Sequence, residues 1–197
     1  MKLHYKGKYN LDPESLPSKQ HQDGAVPFKE AQDTKSMMVI GNVIAFALLI
    51  SLGIILYLRC GNAIFDSIFW GGLLALLCLF PHELLHAICF KEDVYLYTNL
   101  KQGMLFVVGP ETMSKGRYIF LSLLPNLILG IIPFTLAFIW PSLSILGIFG
   151  LMSISMGAAD YYNIFNAATQ MPKGSRTYLH KFNSYWYMPV TQNRPSM

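Results

Sequence analysis

Between Phe80 and Phe90 the chain reads FPHELLHAICF, with three ionisable side chains, His82, Glu83 and His86, inside an otherwise apolar run. On a helix, positions four apart share a face, so both imidazoles can reach one metal ion. Neutral imidazole is a good zinc ligand, and a catalytic zinc keeps three protein ligands plus a water. Zinc lowers the pKa of that water to about 7, and a carboxylate beside the first histidine is placed to take its proton. The pattern reads as a zinc site, with His82 and His86 as ligands and Glu83 as general base. The bland alternative is two histidines satisfied by backbone carbonyls with Glu83 as counter-ion. It must meet the cost of holding ionisable groups in an apolar segment. Pro81, just before the motif, either kinks the helix or begins a new one, where its missing N–H costs nothing.

The chain has 197 residues, 53% hydrophobic and 13% charged, against roughly 25% charged in a soluble domain. Four apolar segments, residues 37–58, 64–90, 118–140 and 142–165, reach the length of about 20 residues that a bilayer crossing requires. Asp160 is the only charge in the last of them. The expected fold is an all-α membrane protein of four transmembrane helices. Of the 15 Lys and Arg, 6 precede residue 37, 4 lie in 91–117 and 4 follow residue 165, leaving Arg59 alone on the other side. Basic residues collect on the cytoplasmic face, so both termini are expected in the cytoplasm of a multi-pass protein, in a bacterial cell membrane.

Between the second and third spans, Val94–Tyr97 and Met104–Val108 are rich in β-branched and aromatic residues and are separated by TNLKQG. This predicts a short cytoplasmic β-hairpin. Residues 1–36, with several Pro and Gly, read as a polar, mostly irregular cytoplasmic tail; 37–165 form the membrane domain with the zinc site; 166–197 form a cytoplasmic or interfacial tail. Tyr161, Tyr162, Tyr185, Trp186 and Tyr187 read as interface anchors. The three cysteines form no CxxC pair, which argues against a disulfide framework or a cysteine zinc site. The net charge of +4 resembles no nucleic-acid-binding stripe, so no nucleic-acid partner is expected. No secretory signal peptide is expected from the polar N-terminal residues.

Depth is a way to search for the third ligand. Counting inward from the cytoplasmic span ends at 1.5 Å per residue, His86 and His82 lie roughly 6 and 12 Å deep, Asp160 about 8 Å and Asn126 about 12 Å. Three spans thus bring polar groups to one layer. Asp160 is the best third ligand, since a carboxylate suits zinc and would be hard to keep ionised alone in a span; its bland alternative is a helix-end residue hydrogen-bonded to Asn163 or a tyrosine. Rival ligands are Glu111, Glu92, Asp93 and His180 in the loops, while Asp66 is at the wrong depth. Asn126 is placed to orient a ligand or to hold substrate backbone, and a polar helix–helix contact would serve it equally.

HELLH at the end of a second span, a hairpin, LLPN on a third span and GAADYYNIFNAATQMPKGS near the end of a fourth resemble the putative zincin peptidase family, small bacterial membrane proteins related to the site-two proteases. The resemblance covers about residues 64–176. It implies an intramembrane metalloprotease with zinc on His82, His86 and Asp160, and Glu83 as general base. The pattern departs from site-two proteases in one respect: the aspartate stands in AADYYN, and the Pro-Asn pair is on the preceding span.

A protease needs its substrate extended, and an exposed strand edge can hold an unwound segment by β-augmentation; Phe106 and Val107 in the hairpin are the expected substrate-binding positions, with Asn126. The leading reading is a zinc-dependent endopeptidase acting on a membrane-embedded or membrane-tethered protein. A non-catalytic, zinc-stabilised membrane adaptor would need the histidines but not Glu83. A metal transporter fits poorly, because one cluster and a lone Asp66 make no polar relay. The expected partners are the substrate, the bilayer, and a second copy or another membrane protein to help enclose the site.

Overall fold

The computed structural model describes residues 1–189. It is mostly helical, with two small sheets. Helix α1, Thr34–Cys60, is capped by Asp33, whose carboxylate accepts the Ser36 N–H, and is apolar for most of its length. Only Leu56 in it is buried; Val39, Val43, Phe46, Ile50 and Ile54 form an exposed stripe at spacings of three and four. Arg59 ends it, and its guanidinium donates to the carbonyls of Phe138 and Ile139.

The second apolar segment divides into α2, Ala63–Leu77, and α3, Leu79–Ala87, at Cys78. Pro81 therefore falls in the first turn of a restarted helix, where its missing donor breaks no bond. The third comprises α4, Lys115–Pro125, a π-helical stretch Asn126–Ile131, and α5, Ile132–Ile139. The fourth is bent by 54° at Gly157 between α6, Ser144–Met156, and α7, Ala158–Gln170. Thr34–Cys60, Ala63–Ala87 and Lys115–Ile139 are each long and apolar enough to cross a membrane, and the bent pair would make a fourth. Helix α6 is the hub: Gly147 abuts Leu56 and Ala137, and Gly150 lies against the backbone of Phe134 and Gly130, so neither position has room for a Cβ.

The hairpin forms as expected, from β3, Val94–Asn99, and β4, Met104–Val108, in antiparallel register with Tyr97 opposite Phe106. A turn through Gly103, at φ +64, closes it. The chain ends depart from the expected irregular tails. Strand β1, Leu3–Lys8, pairs in parallel with β3, giving the order β1-β3-β4. The second sheet, β2-β7-β6-β5, joins Val26–Pro27 (β2), Met113–Ser114 (β5), Arg176–His180 (β6) and Asn183–Tyr187 (β7). An all-α class thus understates the protein. The aromatic residues of β7 also have work other than anchoring at an interface: Trp186 packs on Phe28, Ala167 and Met171, and Tyr185 stacks on Tyr178. Tyr9 is 1% exposed and packs edge-on against Tyr97 and Phe106, which explains why a polar tail docks there.

Candidate metal centre

Helix α3 presents His82 and His86 on one face, their rings 4.9 Å apart and nearly perpendicular. His82, Glu83 and His86 each bring a ligand atom within 4.8 Å of the others. From α7, Asp160 reaches between the histidines, with Oδ2 3.2 Å from His82 Nε2 and Oδ1 3.3 Å from His86 Nε2.

His86, Asp160 and Glu83 are each held from behind. Pro125 has no N–H to give to the carbonyl four residues back, which is Leu121. That free carbonyl accepts the Nδ1–H of His86 at 2.9 Å, leaving Nε2 bare toward Asp160. Asn126 is 0% exposed; its amide donates to Asp160 Oδ2 at 2.7 Å and to the Ser122 carbonyl at 3.1 Å. Its Oδ1 packs against Gly157, the bend that turns Asp160 toward the histidines. Of the roles left open for Asn126, these bonds match ligand orientation and a polar contact between helices rather than a hold on substrate backbone. Glu83 accepts the Val107 N–H at 2.8 Å. Because bonded directions alternate along a strand, a Val107 N–H pointing at Glu83 leaves Phe106 facing β3. Edge strand β4 therefore turns its unpaired side to the site through Val107. Phe106 stacks its ring on Tyr97 and, with Val107, lines the cavity over these groups.

The rival carboxylates stand elsewhere. Glu111 is ion-paired with Arg117 and accepts the N–H groups of Lys91 and Glu92. Burial alone would raise its carboxyl, but Arg117 and those amides hold it below the usual range. Asp93 accepts from His4 and the Lys2 N–H, which lower it, His4 foremost. Glu92 and Asp66 are exposed, the latter in the first turn of α2. His180 donates Nδ1–H to the Lys19 carbonyl in the second sheet.

The donor set fits zinc. A bare imidazole nitrogen facing a carboxylate oxygen at 3.3 Å sets lone pair against lone pair, and a cation between them converts repulsion to attraction. Ligands about 2.0–2.2 Å from a tetrahedral zinc stand about 3.4 Å from one another. The separations of 3.2 and 3.3 Å are close to that edge.

These groups open on a cavity of about 330 Å³. Its floor is α3, α4 and α7, one wall is β4, and its roof is β6 and β7 with the segment before α1. Sequence reasoning missed the roof, notably Glu30, Thr177 and Ser184, because nothing in a polar tail marks which residues will fold over a site formed far along the chain. A missed orienting residue, Pro125, was visible in LLPN beside Asn126.

A helical scaffold presenting two histidines and a glutamate on one helix, with a carboxylate opposite, defines a candidate metallohydrolase. The chain belongs to the putative zincin peptidase family, whose model matches residues 75–176, just over half its length. That family name implies a zinc-dependent peptidase. No curated protein and no solved structure matches the chain.

Proposed function

We propose that the protein is a zinc-dependent intramembrane endopeptidase, akin to the site-two proteases, that hydrolyses a peptide bond of a membrane-embedded or membrane-tethered protein near the cytoplasmic face. The observation that carries the reading is the convergence of His82, His86 and Asp160 on one point, with Glu83 beside it and a strand edge along the same cavity. His82, His86 and Asp160 would hold the metal. When bound, zinc supplies a water acidic enough to lose a proton near neutral pH and a positive charge for the developing oxyanion. Glu83 takes that proton as the oxygen attacks the carbonyl carbon, then delivers it to the leaving nitrogen as the C–N bond breaks. The unpaired side of β4 is where an unwound substrate segment would lie, gaining backbone hydrogen bonds at Leu105 and Val107.

The membrane reading rests on α1, whose exposed apolar stripe needs a nonpolar solvent. The sheets support the four-span topology. Strand pairing joins residues 3–8 to 94–98, and residues 26–27, 113–114 and 176–187 to one another, so each set shares one side of the membrane. Two crossings between residues 27 and 113 and two more before 176 satisfy this. The distribution of Lys and Arg supports a cytoplasmic assignment for the shared side.

The test is zinc content and cleavage together. Detergent-purified protein is expected to carry about one zinc per chain, lost in His86→Ala and Asp160→Ala. Glu83→Gln should keep the metal and lose cleavage of co-expressed single-span proteins. A zinc-free wild type after reconstitution sinks the reading. Zinc retained with a functionally silent Glu83→Gln would leave the zinc-stabilised adaptor.

A further inference from the structure

The cavity holds two carboxylates that the proposed chemistry does not use, Glu30 and Glu111, and only Glu111 has a cationic partner among the described residues. Glu30, in the short segment between β2 and α1, is partly buried and faces the cavity from its roof. It accepts the Ser184 N–H at 2.6 Å. Among the described residues no lysine, arginine or histidine nitrogen comes within 4.0 Å of it. Glu111, lining the same cavity, is neutralised by Arg117. Burial pushes the Glu30 carboxyl up to about 7, against the pull of the Ser184 amide, as befits an anion with no counter-charge.

A second, independent group points to the same place. Thr177 is 2% exposed, lines the cavity, and its hydroxyl has no hydrogen-bond partner. It stands on β6 two positions before Leu179, which pairs with Ser184. Residues two apart on a strand share a face, and Thr177 and Leu179 line the same cavity as Glu30 and Ser184. Around these groups the roof and wall are apolar, with Leu105, Val108, Met113 and Phe182. A carboxylate and an unsatisfied hydroxyl in an apolar lining suit the end of a side chain that is aliphatic along its stem and cationic at its tip.

Resting on the protease reading, we propose that Glu30 and Thr177 form a specificity subsite for a lysine or arginine of the substrate. The substrate class is then a membrane protein with a basic residue in the segment just beyond its span on the cytoplasmic side. Basic residues concentrate in that region of membrane proteins, and the roof is built from the chain segments assigned to that side. Glu30 supplies the charge, and the Ser184 N–H holds one of its oxygens in place. Thr177 accepts a second N–H from the bound cation.

The experiment is binding to the zinc-loaded Glu83→Gln protein in nanodiscs, which needs no turnover. The probes are single-span peptides of about 20 leucines and alanines, followed by a glycine-serine segment in which one lysine is walked from position to position; a methionine set is the neutral reference. In one register the lysine peptide should bind roughly tenfold to a hundredfold more tightly than its methionine twin, the range for a hydrogen bond to a charged group. Glu30→Gln, which keeps a carbonyl oxygen for the Ser184 N–H, should abolish that preference. Glu30→Lys should reverse it toward a glutamate-bearing peptide, and Thr177→Val should reduce it. Equal binding of lysine and methionine peptides in every register, or a lysine preference that survives Glu30→Gln, overturns the subsite. Cleavage by the Glu83 protein is read separately. Glu30-dependent binding without any cleavage keeps the subsite and removes the protease.

Discussion

Gly157 carries no functional group, yet replacing it with alanine should weaken the metal site. Its φ of −77° and ψ of 16° suit any residue, so the backbone itself resists nothing. A Cβ there would lie 2.6 Å from Cγ and 2.9 Å from Nδ2 of Asn126, and would overlap Oδ1 outright. Ordinary contact begins near 3.4 Å, so the amide must retreat by an ångström or more. Its bond to Asp160 is 2.7 Å long and would not survive that movement. A hydrogen bond to a charged group contributes about 1.5–3 kcal/mol, and loss of an outer partner of a metal ligand typically costs about 10–100-fold in affinity. The two magnitudes agree at about 1.4 kcal/mol per tenfold. Zinc affinity, measured by competition with a chromophoric chelator, should fall by that factor in Gly157→Ala. Asn126→Ala should show the same loss, and the double variant no more, because both act through one bond. Gly116→Ala, in α4 with nothing near the added Cβ, is the control and should leave zinc unchanged. Wild-type affinity in a folded Gly157→Ala protein would refute the reasoning, as would full additivity with Asn126→Ala.

Three further outcomes follow from the geometry. Pro125→Ala returns an N–H to the Leu121 carbonyl, which then shares itself between the helix and His86; zinc affinity should drop about tenfold, and an unchanged affinity would show that His86 needs no such support. Val107→Pro removes the amide that binds Glu83 and faces the strand edge, so cleavage should fall while zinc content stays at the wild-type level; equal loss of both would mean that the hairpin merely holds the site together. Glu30 has a folded-state pKa of about 7 against 4.5 unfolded, so the folded state binds the extra proton between those values. Its contribution is fully present below 4.5 and is lost as pH rises through 7, and by pH 8 the ionised group costs the fold up to about 3 kcal/mol. Thermal unfolding of Glu30→Gln should therefore lack that decline between pH 5 and 8. Parallel pH profiles for the two proteins would count against a buried, uncompensated carboxyl.

The sequence carried the grouping of His82, Glu83 and His86 on α3 completely, because a four-residue spacing on a helix is a local fact. Asp160 was reached through depth and through the family resemblance, although the depth reasoning assumed a straight fourth helix. The helix is bent immediately before Asp160, and Gly157 could not announce itself as the breaker. Gly147 and Gly150 in the same segment stay helical, and Gly157 differs from them because the Asn126 amide presses against it from another helix. The hairpin was legible because β-branched residues flank a polar turn. The partners of its sheet were not, since β1 joins β3 across some 90 residues of chain, and such pairing leaves no periodic trace. The same distance hid the roof: Glu30 reads as one more charge in a polar tail until Ser184 is seen beside it.

The second sheet also imposes a schedule on biosynthesis. Chains grow from the N-terminus at about 5–20 residues per second, and β6 and β7 are the last elements described. When all the apolar segments have emerged, His82, Glu83 and His86 already share a helix, but β2 and β5 still lack the strands that join them, and the Ser184 N–H that positions Glu30 has yet to be made. Until then the cavity over these groups lacks its roof. Under the protease reading, a nascent copy would gain its competence only with the closing of the β6–β7 hairpin.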